Sequence, residues 1–203
     1  MLTLTLTACG DDGRDATATH RLIIEPCSGR VDQRATGAAI GPELVATVAH
    51  SLDGVRHIEM RGPDGRSQSA EVVYLDPAKD IALLRPDRPL SEYLTMIEPE
   101  GPGPVGVIRY DDTEQRPRID QGDILELVSV TLDGEGRRDA ARLAATIEPG
   151  DSGAAVIDDD GAMVAMVFAT ARSGDVGWAV SAVEVQAAVD ALARRGPASP
   201  PAC

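Results

Sequence analysis

A serine lies in a tight, glycine-bounded loop at residues 148–153 (Glu-Pro-Gly-Asp-Ser-Gly), between two apolar segments of the chain. Because glycine has no Cβ, this loop can adopt backbone conformations in which several amides converge on one point. Converging amides bind an oxyanion, and the serine hydroxyl then projects outward as a nucleophile. The loop therefore predicts nucleophilic catalysis at Ser152, and an ordinary Asp-Ser-Gly turn is the alternative.

A histidine and an aspartate could supply the base and the acid that such a serine requires. His50 follows the apolar segment Leu44–Ala49, and a histidine at the end of a strand can face a cleft. Asp80 precedes the apolar segment Ile81–Leu84, where a carboxylate is partly buried and needs a donor such as an imidazole N–H. We therefore predict His50 as the base and Asp80 as the acid that orients it. The alternatives are an exposed histidine and a turn-capping aspartate.

Short apolar segments separated by Gly- and Pro-rich turns dominate the rest of the chain, at the spacing of roughly 8–12 residues that is typical of β-sandwiches and barrels. The turn residues Gly101–Pro104 divide them into two lobes, at about 22–100 and 105–180. The predicted strands are Leu22–Ile24, Thr36–Ile40, Leu44–Ala49, His57–Arg61, Ala70–Leu75, Ile81–Leu84, Val105–Tyr110, Ile124–Leu132, Arg142–Ile147, Val156–Ile157, Met163–Ala169 and Trp178–Val180.

One helix is predicted over residues 181–195. Ser181 and Glu184 have the spacing of a capping box, in which the serine hydroxyl accepts from the third amide and the glutamate reaches back. Arg194 and Arg195 complement the C-terminal dipole, and Gly196 ends the helix. The sequence therefore indicates an all-β body with two lobes and a C-terminal helix.

The composition excludes several classes of function. The chain has 203 residues, of which 33 are Asp or Glu and 19 are Lys or Arg, so its formal net charge is −14. This charge argues against nucleic-acid binding, which needs clustered cations, and against adsorption to anionic lipids. No apolar run reaches the length of about 18 residues that a membrane-spanning helix needs. An acidic globular protein is expected, with membrane contact only through a lipid anchor.

Three motifs together carry a resemblance to a known family, since they occur in the order His, Asp, Ser over most of the body. From about Leu22 to Arg195 the chain resembles the trypsin-like, chymotrypsin-fold serine peptidases. It looks most similar to bacterial exported peptidases of the high-temperature-requirement and acid-resistance types. The resemblance implies two packed six-stranded β-barrels followed by a C-terminal helix. Its motifs are Ala46–His50, Asp76–Leu84 and Gly150–Gly153, with the strands Thr36–Ile40 and Gly177–Ser181 in support.

The resemblance also implies a role for each site residue. Ser152 would attack the scissile carbonyl, His50 would transfer the proton, and Asp80 would hold the imidazole tautomer. The amides of Gly150, Asp151 and Ser152 would bind the oxyanion. Because the implied pocket has no acidic residue, we expect a small or medium apolar side chain of the substrate to bind there. No cofactor and no metal are expected. The pocket residues would be Thr146, Phe168, Ala169, Thr170 and Gly177.

Several positions depart from the family pattern or carry no predicted role. Ala154 stands where a second glycine is common, and its Cβ could narrow the site. Cleavage after Arg21 would free an apolar N-terminus to pair with Asp151, but we expect activity without such processing. Asp158–Asp160 do not alternate as calcium ligands would, so a solvated hairpin turn is predicted. The charged pairs at 111–112 and 137–138 are predicted to lie in loops.

The N-terminal segment and the three cysteines fit an exported protein. Leu6–Cys9 resembles a bacterial lipobox, but the segment lacks the basic start of a complete signal peptide. Residues 1–21 are therefore interpreted as a truncated lipoprotein signal and flexible leader, with Cys9 as the lipidation site. A frayed N-terminus without function is the alternative. Cys27 and Cys203 remain as an even pair, for which a disulfide is the prediction and two free thiols the alternative. This disulfide would tie the Pro-rich tail, residues 197–203, to the body at 22–196.

The sequence as a whole predicts a serine endopeptidase that acts on proteins outside the cytoplasm, either secreted or lipid-anchored to the bacterial cell membrane. Its partners would be protein or peptide substrates. A catalytically silent protease fold that serves as a binding or sensing lipoprotein is the alternative.

Overall fold

A computed structural model of the protein describes residues 15–29, 31–132, 135–171, 176–197 and 203. The predicted lipidation site Cys9 lies outside the described residues. None of the helices among the described residues has the length and apolar character needed to cross a membrane.

The first six strands close into a barrel in the order β1-β2-β3-β6-β5-β4, in which every neighbouring pair is antiparallel and β4 returns to β1. Alternate side chains of these strands fill the interior, as Leu22, Ile24 and Met60 illustrate with at most 1% exposure. The strands are β1 (Thr19–Pro26), β2 (Gln33–Gly41), β3 (Leu44–Thr47), β4 (Val55–Arg61), β5 (Ser67–Asp76) and β6 (Ile81–Pro86).

The other six strands close into a second barrel, in the order β10-β11-β12-β9-β8-β7, and β7 pairs with β10. The larger of two apolar clusters contains side chains from both barrels, so the barrels pack against each other through a shared core. The strands are β7 (Gly103–Asp111), β8 (Arg116–Leu132), β9 (Glu135–Ala144), β10 (Ala155–Ile157), β11 (Met163–Thr170) and β12 (Val176–Ser181). The predicted fold class, two six-stranded barrels with a C-terminal helix, is confirmed.

The helix α1 (Ala182–Arg195) follows β12 and packs on both barrels. Its N-cap differs in part from the capping box predicted from the sequence. The Ser181 hydroxyl accepts from the amide of Val183, one residue earlier than expected. Glu184 does not reach back, because its carboxylate instead accepts from the Lys79 ammonium at 2.8 Å and from the Asp139 amide at 3.0 Å. The helix start is therefore tied to the loop between β5 and β6.

The charges at Arg137 and Arg138 correct a prediction, since both residues lie within β9 and not in a loop. The alternation of the strand turns one of them inward, and Arg138 is only 1% exposed. Asp158, by contrast, lies in the predicted hairpin turn between β10 and β11, where its carboxylate accepts from the amides of Asp160 and Ala162.

A disulfide joins Cys27, just after β1, to Cys203 at the end of the chain, with Cα atoms 5.4 Å apart. We expect the double variant Cys27→Ser, Cys203→Ser to lose about 2–4 kcal/mol of unfolding free energy, because the unfolded chain regains the freedom that the closed loop removes. Urea denaturation measures this loss. The difference should vanish when the wild type is reduced, and equal stability of oxidised wild type and variant would contradict it.

His20 is the most deeply buried histidine in the described part of the chain. It lies in β1 and not in a leader, its side chain is 5% exposed, and neither ring nitrogen has a partner among the described residues. Burial lowers the pKa of His20 from 6.5 to about 4, against a smaller raising effect of the Asp64 carboxylate. The folded protein therefore keeps this imidazole neutral at a pH where the unfolded chain protonates it.

This difference predicts an acid-sensitive stability. As the pH falls from 6.5 to about 4, the unfolded chain binds a proton that folded His20 excludes, so His20 should lower the unfolding free energy by about 3 kcal/mol. Urea denaturation across this range should give a flatter profile for His20→Phe than for wild type. The matched variant His57→Phe removes an exposed histidine and should keep the wild-type slope; parallel profiles for all three would contradict the prediction.

Candidate active site

His50 lies three residues after the end of β3, at the first position of a single 3-10 turn, His50–Leu52. Its imidazole is half exposed, whereas the carboxylate it meets, that of Asp80, is only 11% exposed. Nδ1 of His50 lies 2.8 Å from Oδ2 of Asp80, and the backbone amide of His50 donates to Oδ1 of the same carboxylate at 2.8 Å. Asp80 thus holds the Nδ1 edge of the His50 imidazole, and half of the side chain remains exposed to solvent.

Asp80 is held in an unusual backbone conformation, with a φ of +56°. This left-handed region is uncommon for residues other than glycine, although aspartate and asparagine are enriched there. The conformation ends a tight turn in which the amide of Asp80 donates to the carbonyl of Pro77 at 3.2 Å, and the amide of Lys79 donates to the Asp76 carboxylate at 3.1 Å. The turn delivers the Asp80 side chain to His50 at the start of β6.

Ser152 comes from the second barrel, but its loop is bound to the first. The amide of Thr36 in β2 donates to the carbonyl of Ser152 at 2.8 Å. Gly153 has a φ of +90°, and a Cβ at this position would lie 2.0 Å from the Thr36 carbonyl oxygen and 2.6 Å from Oγ1 of Thr47. Only glycine fits so close to β2 and β3. The loop therefore brings Ser152 to the end of β3 that leads to His50.

No hydrogen bond joins the Ser152 hydroxyl to His50 within the described residues. His50 and Asp80 are thus in direct contact, and backbone contacts with β2 bring Ser152 to the same end of the first barrel. Hydrogen bonds between a nucleophile and its base are often long in unliganded enzymes and shorten with substrate.

The loop before Ser152 leaves two amides free. The carbonyl of Gly150 accepts from the Thr36 hydroxyl at 2.8 Å and from Nη1 of Arg21 at 3.0 Å. The amide of Asp151 donates to the Glu148 carbonyl at 3.0 Å, so it is already engaged. The amides of Gly150 and Ser152, in contrast, donate to no acceptor in the described part of the chain.

A buried ion pair between Asp151 and Arg109 supports this loop. The Asp151 carboxylate is 4% exposed; it accepts from the Glu148 amide at 2.7 Å, and Nε of Arg109 lies 2.8 Å away. Burial raises the pKa of the Asp151 carboxyl, and the Glu148 amide and the Arg109 charge act in the opposite direction. Arg109 also contacts the carboxylates of Asp120, at 2.8 Å, and Glu148. Arg109 is therefore an internal cation for Asp151.

Sequence reasoning did not find Arg109 or Arg21. Each lies inside a β-strand, β7 for Arg109 and β1 for Arg21, and their side chains are 6% and 5% exposed. An arginine among apolar strand residues was the available signal, since such a residue must be paired where it is buried. The bond after Arg21, at which cleavage was not expected, lies within β1, where the strand pairs with both β2 and β4.

The residues predicted to line a substrate pocket differ in their exposure. Thr146 and Thr170 are exposed and Ala169 is partly exposed, whereas Phe168 and Gly177 are buried. A Cβ on Gly177 would lie 2.7 Å from Cγ1 of Ile147, so the Ile147 side chain occupies the space beside this glycine. Ala154 is fully buried in the core of the second barrel.

Residues 35–166 match a family model described as a trypsin-like peptidase domain. This segment is more than half of the chain. The chain belongs to the trypsin-like peptidase family. The resemblance predicted from the order of the His, Asp and Ser motifs is thereby confirmed.

Two named relatives of this trypsin-like domain are serine proteases. The serine proteases MT3772 and Rv3671c, from two strains of Mycobacterium tuberculosis, are each 30% identical to the chain over 176 residues. The match covers 83% of this chain and 44% of each relative, so the chain spans less than half the length of these curated relatives.

Solved structures share the two-barrel fold of this trypsin-like domain. The active form of the Rv3671c protease from M. tuberculosis superposes with a TM-score of 0.81 at 23% identity, covering 96% of this chain and 89% of that one. The HtrA-type protease AlgW with a bound tripeptide gives a TM-score of 0.80 at 21% identity, covering 91% of this chain and 62% of that one.

Proposed function

We propose that the protein is a serine endopeptidase that hydrolyses peptide bonds of extracytoplasmic proteins through Ser152, His50 and Asp80. The observation that carries the proposal is the two-point hydrogen bonding of His50 to one buried carboxylate, at 2.8 Å each, beside a serine loop bound to β2. The family to which the chain belongs supports the same chemistry.

In the proposed reaction, Oγ of Ser152 attacks the scissile carbonyl while Nε2 of His50 accepts its proton. Asp80 keeps the other ring proton on Nδ1, so that Nε2 is unprotonated before the attack. His50 then gives the proton to the leaving amine, and an acyl group remains on Ser152. Water, deprotonated by His50, attacks this ester, and the acyl group leaves as a carboxylic acid. His50 returns the proton to Oγ of Ser152, which restores the free serine.

The free amides of Gly150 and Ser152 would bind the negatively charged oxygen that forms in each attack. Removing one such donor typically costs about 3–4 kcal/mol in the transition state. The contacts of Arg21 and Thr36 with the Gly150 carbonyl favour a fixed orientation for this loop. Because Arg109 already pairs with Asp151, no freed N-terminus is needed there, and we propose activity without N-terminal processing.

The proposed substrate preference is for a small or medium apolar side chain before the cleaved bond. Thr146, Phe168, Ala169, Thr170 and Gly177 would form the pocket, and none of them is acidic. The Ile147 side chain beside Gly177 supports a shallow pocket, because it fills space that a long substrate side chain would need.

The proposed site of action is outside the cytoplasm. The Cys27–Cys203 disulfide supports it, because disulfides persist in oxidising compartments. A lipid anchor at Cys9 would hold the protein at the outer face of the cell membrane.

A fluorophosphonate probe tests the proposal, since it phosphonylates a serine only where a base activates it. We expect the folded wild type to be labelled between pH 7 and 8, and Ser152→Ala to be unlabelled. Ser51→Ala is a matched control at a buried serine beside His50 and should leave labelling unchanged. A folded wild type that stays unlabelled would overturn the proposal in favour of a silent binding protein, and labelling of Ser152→Ala would reject this nucleophile.

A further inference from the structure

Arg138 is a buried arginine with no role in the reaction proposed above. It lies in β9 with 1% exposure, and its guanidinium stacks on the ring of Phe168, with 4.1 Å between Cζ and the ring centroid. Burying a guanidinium is costly unless nearby groups compensate its charge. The contacts of Arg138 therefore indicate what this position stabilises.

Those contacts lead to the turn that carries Asp80. Nη1 of Arg138 donates to the carbonyl of Lys79, which belongs to the peptide group that joins Lys79 to Asp80. Burial lowers the pKa of the Arg138 guanidinium, and the carboxylates of Asp80, Glu184 and Asp76 oppose this effect, Asp80 most strongly. Asp80 is thus the strongest of the charges that compensate Arg138.

The same turn is bound to the second barrel at two further points. The Lys79 ammonium donates to the Arg137 carbonyl and to the Glu184 carboxylate. A Cβ on Gly136 would lie 3.1 Å from Cβ of Ala78, so β9 passes close to the turn. Arg138 binds the carbonyl of the peptide group next to Asp80, and the amide of that group donates to the Pro77 carbonyl. The φ of +56° at Asp80 needs such support from its surroundings.

We propose that Arg138 is a positioning residue for the Asp80–His50 pair. Through its hydrogen bond to the Lys79 carbonyl, it holds the Lys79–Asp80 peptide in the orientation that directs the Asp80 carboxylate at His50. The inference rests on the proposed function, because it assigns Arg138 a role in the same reaction. The packing of the two barrels would then matter for catalysis, because Arg138 of the second barrel positions Asp80 of the first.

The test compares the labelling kinetics of three variants with the same fluorophosphonate. Arg138→Met keeps the volume but removes the charge and the donor, and Arg138→Lys keeps the charge. We expect Arg138→Met to lower kinact by roughly 10- to 100-fold with unchanged KI, because misplacing the acid by a fraction of an ångström impairs proton transfer and not probe binding. Arg138→Lys should recover part of this loss. Arg137→Met removes an exposed charge from the neighbouring position and should label like wild type.

A double-mutant cycle with Asp80 separates positioning from general destabilisation. If Arg138 acts through Asp80, then Arg138→Met should have no further effect on kinact in the Asp80→Ala background. An equal effect in both backgrounds, or wild-type kinact in Arg138→Met, would overturn the inference while the proposed function stands. An unlabelled wild type would instead reject the proposed function. Thermal unfolding shows which variants are folded, and Arg138→Lys replaces Arg138→Met in the cycle if the latter is not.

Discussion

Asp80→Asn should lower the rate of fluorophosphonate labelling by about 10⁴-fold while the protein stays folded. Asparagine tolerates the left-handed backbone of position 80, and its amide oxygen can still accept from the backbone amide of His50. Its NH2 group, however, would face Nδ1 of His50 and donate to it, so Nδ1 must be the unprotonated ring nitrogen. The ring proton then sits on Nε2, and the base has no lone pair for the serine proton.

The matched control is Asp76→Asn, which makes the same chemical change four residues earlier. Asp76 accepts from the Lys79 amide, and an asparagine oxygen can make the same hydrogen bond. We expect its labelling rate to stay within about twofold of wild type, because this partly buried carboxylate lies outside the reacting groups and its hydrogen bond survives the change. A labelling rate for Asp80→Asn that equals that of Asp76→Asn would show that Asp80 does not set the tautomer of His50.

Much of the fold could be predicted because the local sequence marks where most strands begin and end. The hairpin of β2 and β3 joins at Gly41, and that of β4 and β5 joins at the Gly-Pro-Asp-Gly turn, where the apolar segments stop. The first half of β8 was missed, because Arg116–Asp123 carries mostly charged and polar residues. Its strand conformation comes from pairing with β7 over its whole length, which is a tertiary effect that local pattern does not contain.

The site divides in the same way. His50, Asp80 and the serine loop stand out because their residue types and positions at strand ends are visible along the chain. The arginines that support them are not, since Arg109 lies 42 residues from Asp151, and Arg138 lies 58 residues from Asp80. A pairing between distant strands depends on barrel closure and register, and the sequence of either strand alone does not specify its partner.

Gly153→Ala should reduce labelling by at least about 100-fold, because the methyl group would overlap the backbone of β2. Its Cβ would lie 2.0 Å from the Thr36 carbonyl oxygen. β2 cannot retreat without breaking its barrel pairing, and the Thr36 amide also holds the Ser152 carbonyl. The serine loop must therefore move, and a displacement of about 1 Å at the nucleophile costs about that much in rate. Overpacking and the positive φ together should cost about 2–5 kcal/mol of unfolding free energy.

Gly65→Ala separates the two contributions to that cost. Gly65 has a φ of +76°, similar to the +90° of Gly153, but no atom lies within 4 Å of its would-be Cβ. It should therefore lose only the backbone contribution, about 1–2 kcal/mol in urea denaturation, and keep the wild-type labelling rate. If both variants lose the same stability and both keep their labelling, the close packing of Gly153 against Thr36 does not position Ser152. A loss of labelling in Gly153→Ala alone would mean that the first barrel, through β2, determines the position of Ser152, the proposed nucleophile.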